Sequence, residues 1–454
     1  MAATDPIRKI REVDHAVPFN LALAQTLRDL ATLTPSLDAP IISLTLDWRP
    51  AGEAPGRDPA PEVRRSEHRS AAHGSGPSWR PSWAEMDRHL TALADSLGPR
   101  GEASDSVTAD IALIRDYLDQ ELDPAAKGVA VYACAAANVF VPLALGLPVP
   151  TRLTAGPTPA LATLTRLRED NPTYAVLVAD QQTAYLSLID QAVVDLSVTV
   201  EGSGYPRKQM QGGPSQRRFQ ARAEERVEAF ARGVAEEVLR TLEDNAVSML
   251  IVAGDEVITS ALNAVFDHRV KDRIIATIRL EIDASTQKVL EATLPIAAQA
   301  ERNHEDADVQ TLRDAVGAGG RGAAGAEDAL TALQAGQVLT LILNDDFTSP
   351  GWADYSLPLY GVGEAPQEHP AGGDVSRIVP IVLEEEMIRL ALATGAEVQI
   401  VHATQPVEVA EDGPFPKAGI PAPRTAAGEA LDALGGVGAI LRFTLDQDQP
   451  VATM

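Results

Sequence analysis

The sequence predicts an α/β protein of three domains, each a mixed sheet with flanking helices. Three observations carry that reading. A chain of 454 residues divides into domains of about 150 residues each. Its 45 % apolar and 22 % charged content is that of folded globular domains, so each segment can bury a core. Stretches of alternating apolar residues and stretches with apolar residues three or four apart follow one another along the chain, the order that builds a sheet covered by helices.

The first domain is expected over residues 1–152. It opens with a helical pattern from Val17 to Leu33. A short strand follows at Ile41–Leu46, with Ile42, Leu44 and Leu46 on one face. Residues 49–82 are rich in Pro, Arg, Ser, His and Gly, and read as a long mobile loop. Helical patterns return at Trp83–Leu97 and Ser106–Leu122. From Gly128 to Thr151 no residue is charged. That stretch is long enough to span a bilayer, but Pro142, Pro148 and Pro150 interrupt it. Two buried strands joined by a turn at Ala135–Asn138 explain it better.

The second domain is expected over 153–296. Tyr174–Ala179 and Ala184–Ile189 flank Asp180–Thr183 as a hairpin. Val194–Val200 alternates strictly and is the clearest strand pattern in the chain. After a loop, a long helix runs from Arg217 to Glu243, with Phe219, Ala223, Val227, Phe230, Val234 and Val238 on one stripe. Met249–Ala253 and Ile274–Ile278 are strands with a helix between them. The third domain, 297–454, repeats the alternation: a helix at Ala326–Ala335 stopped by Gly336, a strand at Val338–Leu343, a helix at Val375–Thr394 stopped by Gly395, and strands at Val398–Val401 and Gly438–Leu445. There is no internal repeat.

Composition removes several function classes. One cysteine, Cys134, forbids an internal disulfide framework and a four-cysteine zinc site, and fits a reducing compartment; in its apolar run it reads as a buried structural thiol. The polar start of the chain, 1–11, has no apolar core of a secretory signal, so a cytoplasmic, non-membrane protein is expected. The net charge of −26 counts against a surface coated throughout by nucleic acid, because phosphate contact needs Lys and Arg. It leaves room for a local basic patch.

Such a patch exists. The stretch 202–223 reads GSGYPRKQMQGGPSQRRFQARA. It holds Arg207, Lys208, Arg217, Arg218 and Arg222 and no acid, +5 in a chain of −26, which leaves −31 for the rest. A basic loop with paired glycines can approach a phosphodiester backbone closely, and the helix start that follows attracts anions. A surface hairpin tip that is merely basic is the plainer alternative.

The residues Gly212-Gly213-Pro214-Ser215-Gln216-Arg217-Arg218-Phe219 resemble the loop of the archaeal and eukaryotic class I release factor and Pelota superfamily, whose pattern is Gly-Gly-Gln-Ser-x-x-Arg-Phe. The surroundings resemble it too: a strand pair, an alternating strand, the loop and a long amphipathic helix. Downstream, Leu250–Gly254 resembles the strand that closes the family's middle domain. Ala326–Gly336 with Val338–Leu343, then Gly395–Val401, then Gly435–Phe443 resemble successive signatures of its C-terminal domain. The ordered matches run from about 153 to 447, and the first domain is much less similar.

The resemblance implies a three-domain, release-factor-like architecture in a divergent bacterial member that acts on ribosome-bound peptidyl-tRNA. The Gly212-Gly213 loop would enter the peptidyl-transferase centre, Ser215 and Gln216 would contact water or ribose, and Arg207, Lys208, Arg217, Arg218 and Arg222 would hold phosphates. No metal or cofactor is implied. In the family the loop glutamine positions water and its N–H stabilises developing charge. Here Pro214 stands at that position, and proline has no N–H. The Vms-type quality-control proteins also carry Gly-Gly-Pro-Ser-like loops and are associated with cutting the tRNA 3′ end. Ester hydrolysis, 3′-end cleavage and docking alone therefore stay open. No Asn-Ile-Lys-Ser-like motif is found in the first domain, so rescue or quality control fits better than stop-codon reading. A translational GTPase or ribosome-splitting partner would join through the C-terminal domain, as in Pelota-like adaptors.

Other patterns read as structural. Arg64–Arg69 is a basic run within the expected mobile loop. Gly317–Gly322 satisfies G-x-G-x-x-G but follows a helix, so it lacks the strand a nucleotide site needs. His268, His304, His369 and His402 have no metal-ligand spacing. Asp345-Asp346 reads as turn chemistry, and Glu384-Glu385-Glu386 as a solvated helix face.

Overall fold

A computed structural model of the chain describes residues 8–13, 19–49, 81–98, 101–190, 193–201, 216–404 and 423–443. In chain order the strands and longer helices are β1 (Arg8–Val13), α1 (Phe19–Ala31), β2 (Ile41–Asp47), α2 (Pro81–Ser96), α3 (Glu102–Asp116), β3 (Gly128–Cys134), β4 (Val139–Leu145), β5 (Arg152–Gly156), α4 (Ala162–Asp170), β6 (Tyr174–Ala179), β7 (Thr183–Asp190) and β8 (Val193–Glu201). Then come α5 (Gln216–Asp244), β9 (Leu250–Gly254), α6 (Glu256–Val265), β10 (Ile274–Ile278), α7 (Thr286–Gly317), β11 (Gly322–Ala324), α8 (Gly325–Gln334), β12 (Val338–Asn344), β13 (Pro350–Asp354), β14 (Leu359–Val362), β15 (Val379–Val382), α9 (Leu383–Ala393), β16 (Glu397–Val401), α10 (Ala426–Asp432) and β17 (Val437–Leu441). The protein is α/β. Its contacts gather it into two compact units, Met1–Gln25 with Arg168–His304 and Thr26–Leu167 with Glu305–Met454.

The first unit is built on a six-stranded sheet in the order β1-β8-β7-β6-β9-β10. β1, β8, β7 and β6 pair antiparallel, whereas β6, β9 and β10 run parallel. Alternation gives the sheet two apolar faces. Leu177, Leu186, Leu188, Leu196, Val198 and Val200 form a core with Phe230, Val234, Val238 and Leu242 of α5. Tyr174, Val176, Val178, Ile251 and Ala253 pack with Val289, Leu290 and Ala297 of α7, and the buried hydroxyls of Tyr174 and Thr293 meet at 3.1 Å. β9 ends at Gly254, where a Cβ would lie 2.3 Å from the carbonyl oxygen of Ala179.

The second unit contains the remaining sheets. β4-β3-β2-β5 is antiparallel throughout. The uncharged stretch 128–151 is its β3–β4 hairpin, turned by a short 3₁₀ segment, Ala135–Ala137, and by Asn138 in the left-handed conformation. No described helix is long and apolar enough to cross a membrane. Ile42, Leu44 and Leu46 do share a face, packed with Trp83, Met86, Leu90, Ile111 and Ile114 from α2 and α3. The other face of β2 is buried as well: Ser43 accepts from the N–H of Ala160, Tyr132 donates to the carbonyl of Ala160, and Thr45 donates to that of Pro150. β5 straddles the segment boundary expected at 152/153, yet its partner is β2.

Towards the C-terminus, β11-β17-β12-β16 forms a sheet in which β12 and β16 are parallel, and β14-β13-β15 forms a smaller antiparallel one. The small sheet takes the place of part of the helix expected over Val375–Thr394. Pro380 lies inside β15, opposite Trp352 of β13, and a proline cannot continue a helix there, so α9 starts only at Leu383.

Candidate functional site

The stretch singled out in the sequence joins β8 to α5. Arg207, Lys208, Gly212, Gly213, Pro214 and Ser215 lie outside the described residues, as do Arg64–Arg69. Gln216, Arg217, Arg218 and Arg222 belong to the opening turns of α5. The frame on either side is set by ordinary pairing. β8 bonds to β1 on one side and β7 on the other, with Glu201, its last residue, in register with Arg8 and Thr183. Thr183 leaves the tight turn in which Asp180 accepts from the N–H groups of Gln182 and Thr183 at 2.7 and 2.6 Å. The loop therefore departs from a strand held on both edges, beside a rigid turn.

It ends at the start of a 29-residue helix with no acidic residue in its first turn. At 1.5 Å per residue that helix is about 43 Å long, against about 30 Å for the nine residues of β8. Further along the helix, Val227, Phe230, Val234 and Val238 form the stripe that joins the sheet core. Unpaired N–H groups and the positive end of the helix dipole favour an anion at such a start. The arrangement suits phosphate binding rather than metal binding. Among the described residues no three His, Cys, Asp or Glu side chains stand close enough to hold a metal ion.

The other residues noted in the sequence have structural roles. His369 Nε2 lies 3.0 Å from Asp354 Oδ2, both side chains being buried. His402 Nδ1 lies 2.7 Å from Glu305. Asp345 accepts from the N–H of Ala403 in the turn after β12, and Asp346 pairs with Arg424. Gly317–Gly322 follows α7, not a strand. Cys134 is fully buried.

The expectation of a solvated face at Glu384-Glu385-Glu386 is wrong. Glu385 accepts from the N–H groups of Leu161 and Ala162, at 2.7 and 2.8 Å, and so caps the start of α4. Glu384 pairs with Arg166 at 2.7 Å. Glu386, 2 % exposed, accepts from Tyr355 and Thr158 and from Arg389. Arg389 further donates to the carbonyl of Ala31 and to the Tyr360 hydroxyl, both at 3.1 Å. Burial raises the carboxyls of Glu384 and Glu385 above the usual range, against the pull of these donors. Three acids in a row look solvated because the partners of Glu384 and Glu385 lie more than 200 positions away in sequence. Glu169 is also missed by sequence reading. Burial pushes its carboxyl, near the end of α4, up to about 7 against the opposing pull of Arg168.

Residues 159–298 match the family model described as bacterial archaeo-eukaryotic release factor family 10. That span includes β6 to β10, the loop and α5. Similar solved structures include an archaeal translation termination factor, aRF1, at 16 % identity, covering 93 % of this chain and 98 % of that one with a TM-score of 0.23. Pelota of Archaeoglobus fulgidus is 16 % identical over 72 % of this chain and 83 % of its own, with a TM-score of 0.29. Dom34 of S. cerevisiae, described as a translation termination-like factor in RNA quality control that interacts with Hbs1, is 12 % identical over 70 % and 81 %, with a TM-score of 0.36. No curated protein matches the chain.

Proposed function

We propose that this chain, whose residues 159–298 match the bacterial archaeo-eukaryotic release factor family 10, is a member of the archaeal and eukaryotic release factor and Pelota superfamily and a ribosome-associated release or rescue factor that acts on peptidyl-tRNA in the cytoplasm. One observation carries the reading. Within the matched span, the Gly-Gly-Pro-Ser-Gln sequence and the five cations fall in the connection that follows a strand paired on both sides and in the first turns of the long helix it leads into. Three segments, 1–152, 153–296 and 297–454, divide the work. The middle one carries the loop into the peptidyl-transferase centre. The C-terminal one offers the surface for a translational GTPase or a ribosome-splitting partner.

In this reading Gly212 and Gly213 give close approach, Arg207, Lys208, Arg217, Arg218 and Arg222 hold phosphates, and Ser215 and Gln216 contact water or the terminal ribose. Hydrolysis would have water oxygen bond to the ester carbonyl carbon while the carbonyl–ribose oxygen bond breaks and the ribose oxygen takes up a proton. Pro214 withholds the N–H that would stabilise the carbonyl oxygen. That absence favours a second reading, in which the loop docks without cutting and the protein works as a Pelota-like adaptor, or cuts the tRNA 3′ end as a Vms-like nuclease.

Stalled ribosomes carrying labelled peptidyl-tRNA, incubated with the full chain and run on a denaturing gel, separate these readings. Free peptide with full-length tRNA, abolished by Gln216→Ala, means ester hydrolysis. A shortened tRNA means 3′-end cleavage. An unchanged band with the protein still on the ribosome means an adaptor. Failure to bind ribosomes at all refutes the proposal.

A further inference from the structure

The tip of the β3–β4 hairpin rests on a buried carboxyl. Its residues, Ala135–Asn138, are all exposed and uncharged. Beside it, Leu37, 63 % exposed, follows Ser36, whose Oγ lies 3.7 Å from Cys134 Sγ. Two N–H groups hold the tip to α3. That of Ala136 donates to Ser106 Oγ at 3.0 Å, and that of Ala135 donates to Asp110. Ser106 and Asp110 stand one turn apart on α3, with Ser106 Oγ 3.4 Å from Asp110 Oδ2. Asp110 is fully buried. Among the described residues its Oδ1 has no hydrogen-bond partner.

An ionised carboxylate offers about four acceptor sites, and the donors here are Ala135 N–H and the Ser106 hydroxyl. The surrounding elements bring no cation to it. β3 contributes the buried Cys134 thiol, 4.0 Å from Ser106. The tip has no titratable group, and in the turn before β2 the one charged residue, Asp38, is exposed. α2 packs on Ile111 and Ile114 of the same helix; its Asp87 is paired with Arg115, and Glu85, Arg88, His89 and Asp95 are exposed. On α3 the positions one turn to either side, Ser106, Val107, Leu113 and Ile114, carry no charge. A protonated carboxyl needs less: it accepts from Ala135 and donates to Ser106 Oγ. Loss of the proton leaves a buried charge short of partners, which is costly. The nearest remedy is water, reached by lifting the exposed tip.

From this geometry we propose that Asp110 is a proton-operated latch: protonated, it keeps the tip of the β3–β4 hairpin on α3, and ionised, it releases the tip so that water reaches the carboxylate. The latch is independent of the reading of the Gly-Gly-Pro-Ser-Gln loop.

The test is hydrogen exchange of the full chain, followed by mass spectrometry at the amides of Ala135 and Ala136 and corrected for the intrinsic rate at each pH. With a closed value of about 6 and an open one of 3.8, linkage makes the opening equilibrium about tenfold larger at about pH 7.5 than at about pH 5. Tip protection in wild type is therefore expected to fall about tenfold over that range. Asp110→Asn, which keeps the shape and cannot ionise, should hold constant protection. Ser106→Ala removes the acceptor for Ala136 but keeps the carboxyl, so it should lower protection at every pH and retain the fall. A wild type with flat tip protection overturns the proposal, and so does an Asp110→Asn whose protection falls alongside it. Should Asp110→Asn fail to fold, wild type and Ser106→Ala still decide, since a fall lost in Ser106→Ala would place the titration away from the carboxyl. Tip protection equal to that of the β2 and β3 amides at every pH would also overturn it, because the tip would then open only with the sheet.

Discussion

Replacing Arg389 by Met removes the centre of a buried polar network while keeping much of its apolar volume. Arg389 is buried and makes two bonds to Glu386, at 3.0 and 2.5 Å, and one each to Ala31 and Tyr360. Without it, the carboxylate of Glu386 is left buried with only the hydroxyls of Tyr355 and Thr158. Breaking one side of a buried ion pair costs about 3–5 kcal/mol, because the remaining charge is uncompensated, whereas replacing both sides with apolar groups is often nearly neutral. The assay is urea unfolding followed by circular dichroism. With a slope of about 1–3 kcal/mol per molar urea, Arg389→Met is expected to lower the midpoint of the affected transition by at least about 1 M. The double variant Glu386→Leu/Arg389→Met should recover more than half of that loss. A double variant as unstable as the single one would refute the reasoning, for it would mean that the guanidinium matters through Ala31 and Tyr360 rather than through the orphaned carboxylate.

Two further outcomes concern the sheets. Gly254→Ala places a methyl 2.3 Å from the backbone oxygen of Ala179, which neither strand can relieve without moving; a cost of about 1–3 kcal/mol is expected, read as a lowered thermal midpoint, and an unchanged midpoint would refute the close approach. Burial pushes the carboxyl of Asp110 up to about 6 from 3.8, although Ala135 N–H and Ser106 donate to it. A carboxyl with a raised folded value binds its proton more tightly folded than unfolded, so its contribution is present below pH 3.8 and lost as pH rises through 6. Urea midpoints of Asp110→Asn taken from about pH 4 to 7 should therefore fall less steeply than those of wild type, and parallel curves would count against the burial argument.

The middle sheet was readable in advance because its pattern is local. Val194–Val200 alternates, Asp180 marks a turn, and the stripe on α5 repeats every three or four residues, so each element announces its own partner face. β1 was not readable, since RKIREV has no alternating apolar face and becomes a strand only because β8 offers an edge. The β13–β15 sheet escaped for a related reason: strands of four or five residues broken by Gly and Pro carry too little period to register. Glu384–Glu386 misled because a run of acids is solvated unless donors come from elsewhere. The donors here are Arg166 and the start of α4, which no window of sequence contains. For the candidate site, residue types, charge and the helix start expected at Arg217, one residue from the observed Gln216, were plain from the sequence, while the added strand β1 came only with the structure.

The cap on α4 also sets an order of events during synthesis. The N–H groups of Leu161 and Ala162 wait for a carboxylate 224 and 223 positions later, and the carbonyl of Ala31 waits for a guanidinium 358 positions later. At roughly 5–20 residues per second, the first of these gaps is about 10–45 s of translation. Throughout that time the early part of the chain has its own hydrophobic core but an unsealed polar seam. A nascent chain halted before α9 emerges would expose that seam permanently, making incomplete copies of this protein distinguishable from finished ones by local opening at α4.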